Sequence, residues 1–203
     1  MSKPRIKKIG ISGKIGSGKS LAIKFFKKNK YPAYDLDKIS REIMNPGQSC
    51  YKKIVKYFGP EILYKNKNLN RNKIKKIIFN DEIKRKKLNS IVHPEIFNKV
   101  KYYVKLHESK NDYIIFFEGA LITKETKIGI FLDQIIYIKS SKNNIINRVK
   151  RRDNIAEKEI FNILRIQKSI EHQVKSYDYI VHNNTKIRAF EDKLNSILEK
   201  ISL

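Results

Sequence analysis

Gly13-Lys14-Ile15-Gly16-Ser17-Gly18-Lys19-Ser20 is the stretch on which the reading of the whole chain turns. A glycine, four residues and then Gly-Lys-Ser is the spacing of a loop that wraps phosphate. Its glycines allow positive φ and close backbone approach, so that several N–H groups can point inward at one anion. Lys19 adds a mobile positive charge for the β- and γ-phosphates of a nucleoside triphosphate such as ATP, and Ser20 supplies a hydroxyl for Mg2+. The run before it, Ile6 to Ser12, is apolar and strand-like. The run after it, Gly18 to Asn29, reads as a helix whose positive end would face the same phosphates. An ordinary glycine turn ahead of a helix is the plainer alternative, and the flanking strand and helix weigh against it.

Outward from this loop, four more short runs read as strands: Tyr31 to Asp35, Tyr113 to Glu118, Gln134 to Lys139 and Tyr179 to Val181. Most are nearly continuous in β-branched or aromatic residues, the pattern of strands buried on both faces of a parallel sheet. Helical segments separate them. The long stretch between the second and third strands predicts helices over Lys38 to Met44, Tyr51 to Phe58, Asn70 to Phe79, Asp81 to Ile91 and Pro94 to His107. Asn70 and Asp81 are placed as N-caps, Pro94 as a first-turn residue and Asn45-Pro46-Gly47 as a turn. A charged helical pair, Asn143 to Arg151 and Ala156 to Gln173, lies between the last two strands. The expected fold class is α/β: a three-layer P-loop NTPase fold with a five-stranded parallel sheet, an inserted helical substrate lobe and a helical lid. The expected division is 1–36, 112–140 and 177–203 for the nucleotide-binding core, 37–111 for the substrate-binding lobe and 141–176 for the lid.

Composition narrows the function classes. The chain has 203 residues, is 40% hydrophobic and 32% charged, and carries a formal net charge of +25. That is a globular composition on the polar side. The lysines are spread from end to end instead of gathering in one arm, which argues against a nucleic-acid partner and still favours polyanionic small ligands. The single cysteine, Cys50, has no partner for an internal disulfide and no metal-ligand cluster around it. The charged start, Met1 to Arg5, runs straight into a strand, and no long apolar span follows. These features predict a soluble, cytoplasmic protein with no membrane association; a monomer or weak homo-oligomer is the expected assembly.

Three further places carry chemistry-bearing residues. Asp35-Leu36-Asp37 ends the second predicted strand, and carboxyl ends of parallel strands line the ligand crevice. A carboxylate there can accept a proton from a substrate hydroxyl, and Asp37 can equally start the next helix as a cap. Glu118 ends the third strand, as a support for Mg2+ or as a surface residue. Arg148, Lys150, Arg151 and Arg152, followed by Asp153, form a basic cluster that suits a lid closing on phosphate, or a solvated helix face. No Asn-Lys-x-Asp segment is present to read guanine, and the chain is short for a motor ATPase or helicase. A small-molecule kinase fits best. A nucleoside monophosphate kinase and a nucleic-acid-binding ATPase are the alternatives.

With these residues in view, the sequence resembles the dephospho-coenzyme A kinase family over essentially its whole length. Ser12 to Ser20 is similar to that family's Thr-Gly-Gly-Ile-Gly-Ser-Gly-Lys-Ser, and Asp35-Leu36-Asp37 with Ile39, Arg41 and Glu42 to its Asp-Ala-Asp and Ile-Ala-Arg-Glu. Pro46-Gly47, Phe58-Gly59, His93-Pro94, Arg148, Arg152-Asp153, Gln167, Glu171, Asp178 and Asn183 match later signposts. The resemblance implies transfer of the ATP γ-phosphate to the ribose 3′-hydroxyl of dephospho-coenzyme A. It implies a nucleotide site formed by Gly13, Lys14, Ile15, Gly16, Ser17, Gly18, Lys19, Ser20 and Leu21, with Ser20 on Mg2+. It implies Asp37 as the base, Lys19, Arg148 and Arg152 on the phosphates, and Arg41 and His93 on the acceptor side. The chain departs from the family at Lys14, which stands for a glycine, and at Leu21, which stands for Thr or Ser. Ile163 replaces a frequent Arg, and the segment after Glu118 keeps the family pattern too poorly to give Glu125 a role.

Overall fold

The computed structural model describes residues 5–120, 122–167 and 176–202. The chain divides into two compact units: residues up to Asp35 together with those from Val104 onward, and Leu36–Tyr103.

In the first unit, β1 (Lys7–Ser12), β2 (Ala33–Asp35), β3 (Ile114–Glu118), β4 (Gln134–Lys139) and β5 (Tyr179–His182) form one sheet in the order β2-β3-β1-β4-β5. Every pairing is parallel. The expected five-stranded parallel sheet is present, with each strand within about two residues of its sequence-based bounds. The central strands are apolar throughout because both of their faces are covered: β3 is buried at all five positions. Helix α1 (Lys19–Lys28) and the C-terminal helix Ile187–Ser202 supply Ala22, Phe25, Phe26, Phe190 and Leu194 to a core with Ile9, Ile11, Phe116, Ile136 and Ile138. Phe26 stacks on Phe116 with ring centroids 3.8 Å apart. Gly10 keeps the other face of β1 open to Leu132, whose Cδ1 would lie 2.8 Å from a Cβ there. From β1 the chain travels to the β2 edge, and from β3 it crosses to the opposite side as β4. The order therefore reverses at β1, whose carboxyl end opens on the crevice where ligands bind in such sheets.

The second unit is helical. It contains α2 (Leu36–Ile43), α3 (Ser49–Phe58), a 3-10 turn at Pro60–Ile62, α4 (Arg71–Asn80) and most of α5 (Glu82–Ser109). Each helix buries one face: Leu36, Ile39 and Ile43 on α2, Cys50, Ile54 and Phe58 on α3, Val92, Ile96 and Val100 on α5. Asn70 caps α4 by accepting from the Lys73 N–H at 3.0 Å, and Asp81 accepts from the Lys84 N–H at 2.9 Å, as expected of both.

Two expectations are corrected. The separate helices over 81–91 and 94–107 are one helix, α5, with Pro94 in its interior. Proline removes the bond to the carbonyl four residues back, at an ordinary cost of about 3 kcal/mol. The apolar stripe Val92, Ile96, Val100, Val104 runs in unbroken four-residue steps across it, so packing on both sides carries the helix through. Helix α2 starts at Leu36 and not at Lys38, which puts Asp37 inside its first turn instead of ahead of it.

The remaining elements belong to the first unit: α6 (Lys127–Phe131), α7 (Lys142–Asp153), α8 (Glu157–Ile166) and the C-terminal helix, named α9 below. The predicted extension of α8 to Gln173, and Glu171 with it, lies outside the described residues. Among the described residues no helix is long and apolar enough to cross a membrane.

Candidate active site

The loop between β1 and α1 is built by three glycines with positive φ: Gly13 at 150°, Gly16 at 69° and Gly18 at 110°. Each also sits against a close neighbour. A Cβ on Gly16 would lie 2.7 Å from Val149 Cγ2, and one on Gly18 would lie 2.0 Å from Asn183 Nδ2. Lys14, at a position where the resembling family has glycine, has negative φ, so a side chain is accommodated without strain. Leu21 packs half-buried against the sheet core, an apolar contact in place of a hydroxyl.

Side chains from distant parts of the chain hold this loop. The Ile15 N–H donates to Gln167 Oε1 at 2.9 Å, and Asn183 Nδ2 donates to the Ser17 carbonyl at 2.8 Å. Arg148, on α7, donates to the Ser140 hydroxyl at 3.1 Å, to the Asn183 carbonyl at 3.1 Å and to the Gly16 carbonyl at 3.5 Å. The same guanidinium reaches Asn183 Oδ1 at 3.4 Å. Ile145, Ile146 and Val149 of α7 and Ile160 of α8 form an apolar cluster on which Ile15 packs. The loop is therefore clamped between α7 and the end of β5.

Lys19 opens α1 and is 8% exposed. Its ammonium donates to the Lys14 carbonyl at 3.2 Å and pairs with Glu118 at 3.7 Å. Glu118, at the carboxyl end of β3, is 4% exposed, so the surface reading of that residue is overturned. Buried charges of this kind need their partners, because an ion left alone in a desolvated site is costly. Ser20 follows Lys19 and is exposed.

Arg152 and Asp153, at the end of α7, form a bidentate pair with both N–O distances 2.7 Å. The bond to Asp153 raises the Arg152 pKa, and the bond to Arg152 holds the Asp153 carboxyl below its usual range. A fork of donors set for a carboxylate is also set for phosphate. The Glu118 charge acts on Arg152 as well.

Asp37, Arg41 and His93 belong to the second unit. Asp37 and Arg41 are both exposed and stand four residues apart on α2, hence on one helix face. Arg71, at the start of α4, donates to the Arg41 carbonyl at 3.2 Å. Burial and then the Arg41 charge lower the Arg71 pKa. Two guanidiniums held close together favour an anion between them. No local pattern in the sequence marks Arg71; only the fold brings it to Arg41. His93, on α5, has a partly desolvated ring whose pKa is pushed below the usual value, which favours the neutral imidazole.

Comparison with known proteins identifies the family and the fold. The family model for dephospho-CoA kinase matches residues 7–189. The dephospho-CoA kinase of Fusobacterium nucleatum subsp. nucleatum is 35% identical over 193 residues, covering 95% of this chain and 97% of that protein. Among solved structures, TT1252 from Thermus thermophilus superposes with a TM-score of 0.82 at 23% identity, covering 97% of this chain and 98% of its own. Dephospho-CoA kinase from Campylobacter jejuni superposes with a TM-score of 0.70 at 23% identity, covering 96% of each chain. The two structures share the fold, and the family match together with the 35% relative fixes the kinship. The chain belongs to the dephospho-CoA kinase family, whose reaction is the ATP-dependent phosphorylation of dephospho-CoA to CoA, the last step of CoA biosynthesis.

Proposed function

We propose that this chain carries out that transfer at the ribose 3′-hydroxyl of dephospho-coenzyme A, with the residues above in the following roles. The inward amides of Gly13 to Leu21 and the Lys19 ammonium hold the β- and γ-phosphates of ATP. The buried Lys19–Glu118 pair at the loop is the observation that carries this reading, because it holds the Lys19 ammonium against a carboxylate at the head of α1. Asp37 orients the 3′-hydroxyl and accepts its proton as the oxygen attacks phosphorus and the bond to ADP breaks. Arg152 exchanges the Asp153 carboxylate for the transferring phosphoryl group. Arg148 braces the loop through Gly16 while contributing positive charge beside it. Arg41, with Arg71 beside it, takes the acceptor's diphosphate, and neutral His93 offers a hydrogen bond on the acceptor side. In this division residues 37–111 are the acceptor lobe and 141–176 the lid of a cytoplasmic monomer or weak homo-oligomer.

The donor set suits a hard cation such as Mg2+. Ser20 offers an exposed hydroxyl at the head of α1. Among the described residues no group of three or more His, Cys, Asp or Glu is arranged to take an ion unaided. A cation here would therefore share the Ser20 oxygen with phosphate oxygens, where it would neutralise charge on the triphosphate.

The test is ADP release with dephospho-coenzyme A, nucleoside monophosphates or RNA as acceptor. Only dephospho-coenzyme A should support turnover; turnover with a monophosphate, or RNA-stimulated hydrolysis, overturns the reading. Asp37→Asn should keep ATP affinity and lower kcat about a hundredfold or more, the usual range for an acid–base group. An unchanged kcat removes Asp37 from the mechanism.

A further inference from the structure

The chain passes between the two compact units twice, at 35/36 and at 103/104. On the sheet side these two crossings are tied together. Tyr34 is the residue before the end of β2, and His107 lies one helical turn beyond the second crossing, in the last turn of α5. The Tyr34 hydroxyl and His107 Nε2 are 2.6 Å apart. His107 Nδ1 and Asp112 Oδ2 are 2.7 Å apart. The Asp112 N–H also donates to the His107 carbonyl at 3.0 Å, which closes the turn that follows α5. The tautomer with Nδ1–H facing the carboxylate leaves Nε2 to accept from the tyrosine hydroxyl. His107 is 8% exposed. Tyr34 also stacks on Phe117, with centroids 5.8 Å apart and planes 24° from parallel.

This hydrogen-bonded chain sits on the shortest of the five described strands. Strand β2 has three residues, lies at the sheet edge and, among the described residues, pairs with β3 alone. Three residues of ladder on one side hold a strand end loosely, and strand β2 leads without a loop into α2. Asp35 ends that strand and Asp37 lies in the first turn of that helix.

We propose that Tyr34, His107 and Asp112 form a brace that fixes the end of β2 and so positions the carboxylates of Asp35 and Asp37 for phosphoryl transfer. They are positioning residues: none is assigned contact with a reacting atom. The proposal rests on Asp37 being the base, and it adds that the aim of that carboxylate is set by a part-buried Tyr–His–Asp chain on the sheet side. Misplacing a reacting group by a fraction of an ångström is enough to lower turnover without weakening the binding of the other substrate.

The experiment compares the parent with Tyr34→Phe, His107→Ala, the double variant and His107→Gln. Tyr34→Phe is expected to lower kcat with dephospho-coenzyme A about tenfold while KM for ATP stays within about twofold. The double variant should be no worse than the worse single one, since both break one chain. His107→Gln, whose amide can still accept from the tyrosine, should recover most of the loss. Additive losses, a Tyr34→Phe kcat within about twofold of the parent, or an ATP KM that rises in step with the fall in kcat overturn the brace. Amide hydrogen exchange gives an arm that needs no acceptor. In Tyr34→Phe the amides of Asp35 to Lys38 should exchange about tenfold faster while those of α1 do not change. Unchanged exchange at 35–38 overturns the brace even in a protein that phosphorylates some other acceptor. A parent that ignores dephospho-coenzyme A, with faster exchange in the variant, overturns the proposed reaction instead.

Discussion

The glycine loop and the exposed face of α2 present the groups proposed for phosphate and for the acceptor in opposite ways. The loop is shaped by its own backbone and clamped from outside by Gln167, Arg148 and Asn183, residues more than a hundred positions away. Helix α2 displays Asp37 and Arg41 as side chains on one exposed face, four residues apart. A site made of backbone has little room for change, because every added atom meets something fixed. A site made of exposed side chains loses one function at a time. Substitutions in the loop should therefore fail by losing the nucleotide, and those on α2 by losing turnover with the nucleotide still bound.

The largest effect that would break this contrast is at Gly18. Its φ of 110° and the 2.0 Å approach of a Cβ to Asn183 Nδ2 leave alanine no place. Gly18→Ala should lower kcat/KM for ATP by about a hundredfold or more, read in an ATP titration at fixed acceptor. An ATP affinity equal to that of the parent would show that the loop tolerates side chains as α2 does.

Next in size is the interior of the lobe that carries the exposed face. Cys50 is 2% exposed, and burial, with the Glu95 charge adding to it, pushes its thiol from 9.0 up to about 11. The thiolate is the reacting form, so at pH 8 alkylation in the native protein should be about a hundredfold slower than in the denatured chain. The sign for stability follows from linkage. The folded state holds the proton more tightly, so stability contributed by the protonated thiol is full below pH 9 and is lost as the pH rises towards 11. Fast labelling of native protein would mean the lobe opens readily.

Asn183→Ala sharpens the contrast from the other side of the clamp. It leaves the Ser17 carbonyl and the Arg148 guanidinium short of a partner, a loss of about 1–3 kcal/mol, which should weaken ATP binding about tenfold. It also vacates the space a Cβ at Gly18 needs, so the Gly18→Ala and Asn183→Ala losses should combine to less than their sum. The smallest effect is in the lobe: Asn70→Ala removes the α4 cap and should lower unfolding stability by about 1 kcal/mol without touching ATP affinity.

How far the sequence could be read follows the same division. The loop, β1 and the apolar strands were legible because each depends on residues next to one another: glycines where φ is positive, β-branched runs where both faces are covered. The caps Asn70 and Asp81 were legible for the same reason. The break expected at His93-Pro94 follows a sound local rule that lost to the stripe Val92, Ile96, Val100, Val104. Phe190, Leu194 and Ile201 give helix α9 a buried face that the sequence-based expectations do not include. The Arg41–Arg71 pair, the buried Lys19–Glu118 pair and the clamp on the loop could not be read at all, since each joins segments that only the fold brings together. Arg148 and Asn183 were marked by resemblance, but their hold on Gly16 and Ser17 is a fact of three dimensions.

The bond from Asn183 to Ser17 spans 166 positions of sequence. At a translation rate of 5–20 residues per second, roughly ten to thirty seconds separate the emergence of the glycine loop from that of the asparagine that secures it. For that interval the growing chain carries the whole phosphate signature without its complete clamp. The clamp is thus completed near the end of synthesis, and a message truncated before β5 would yield a protein that has every loop glycine and lacks the last of the residues that hold them.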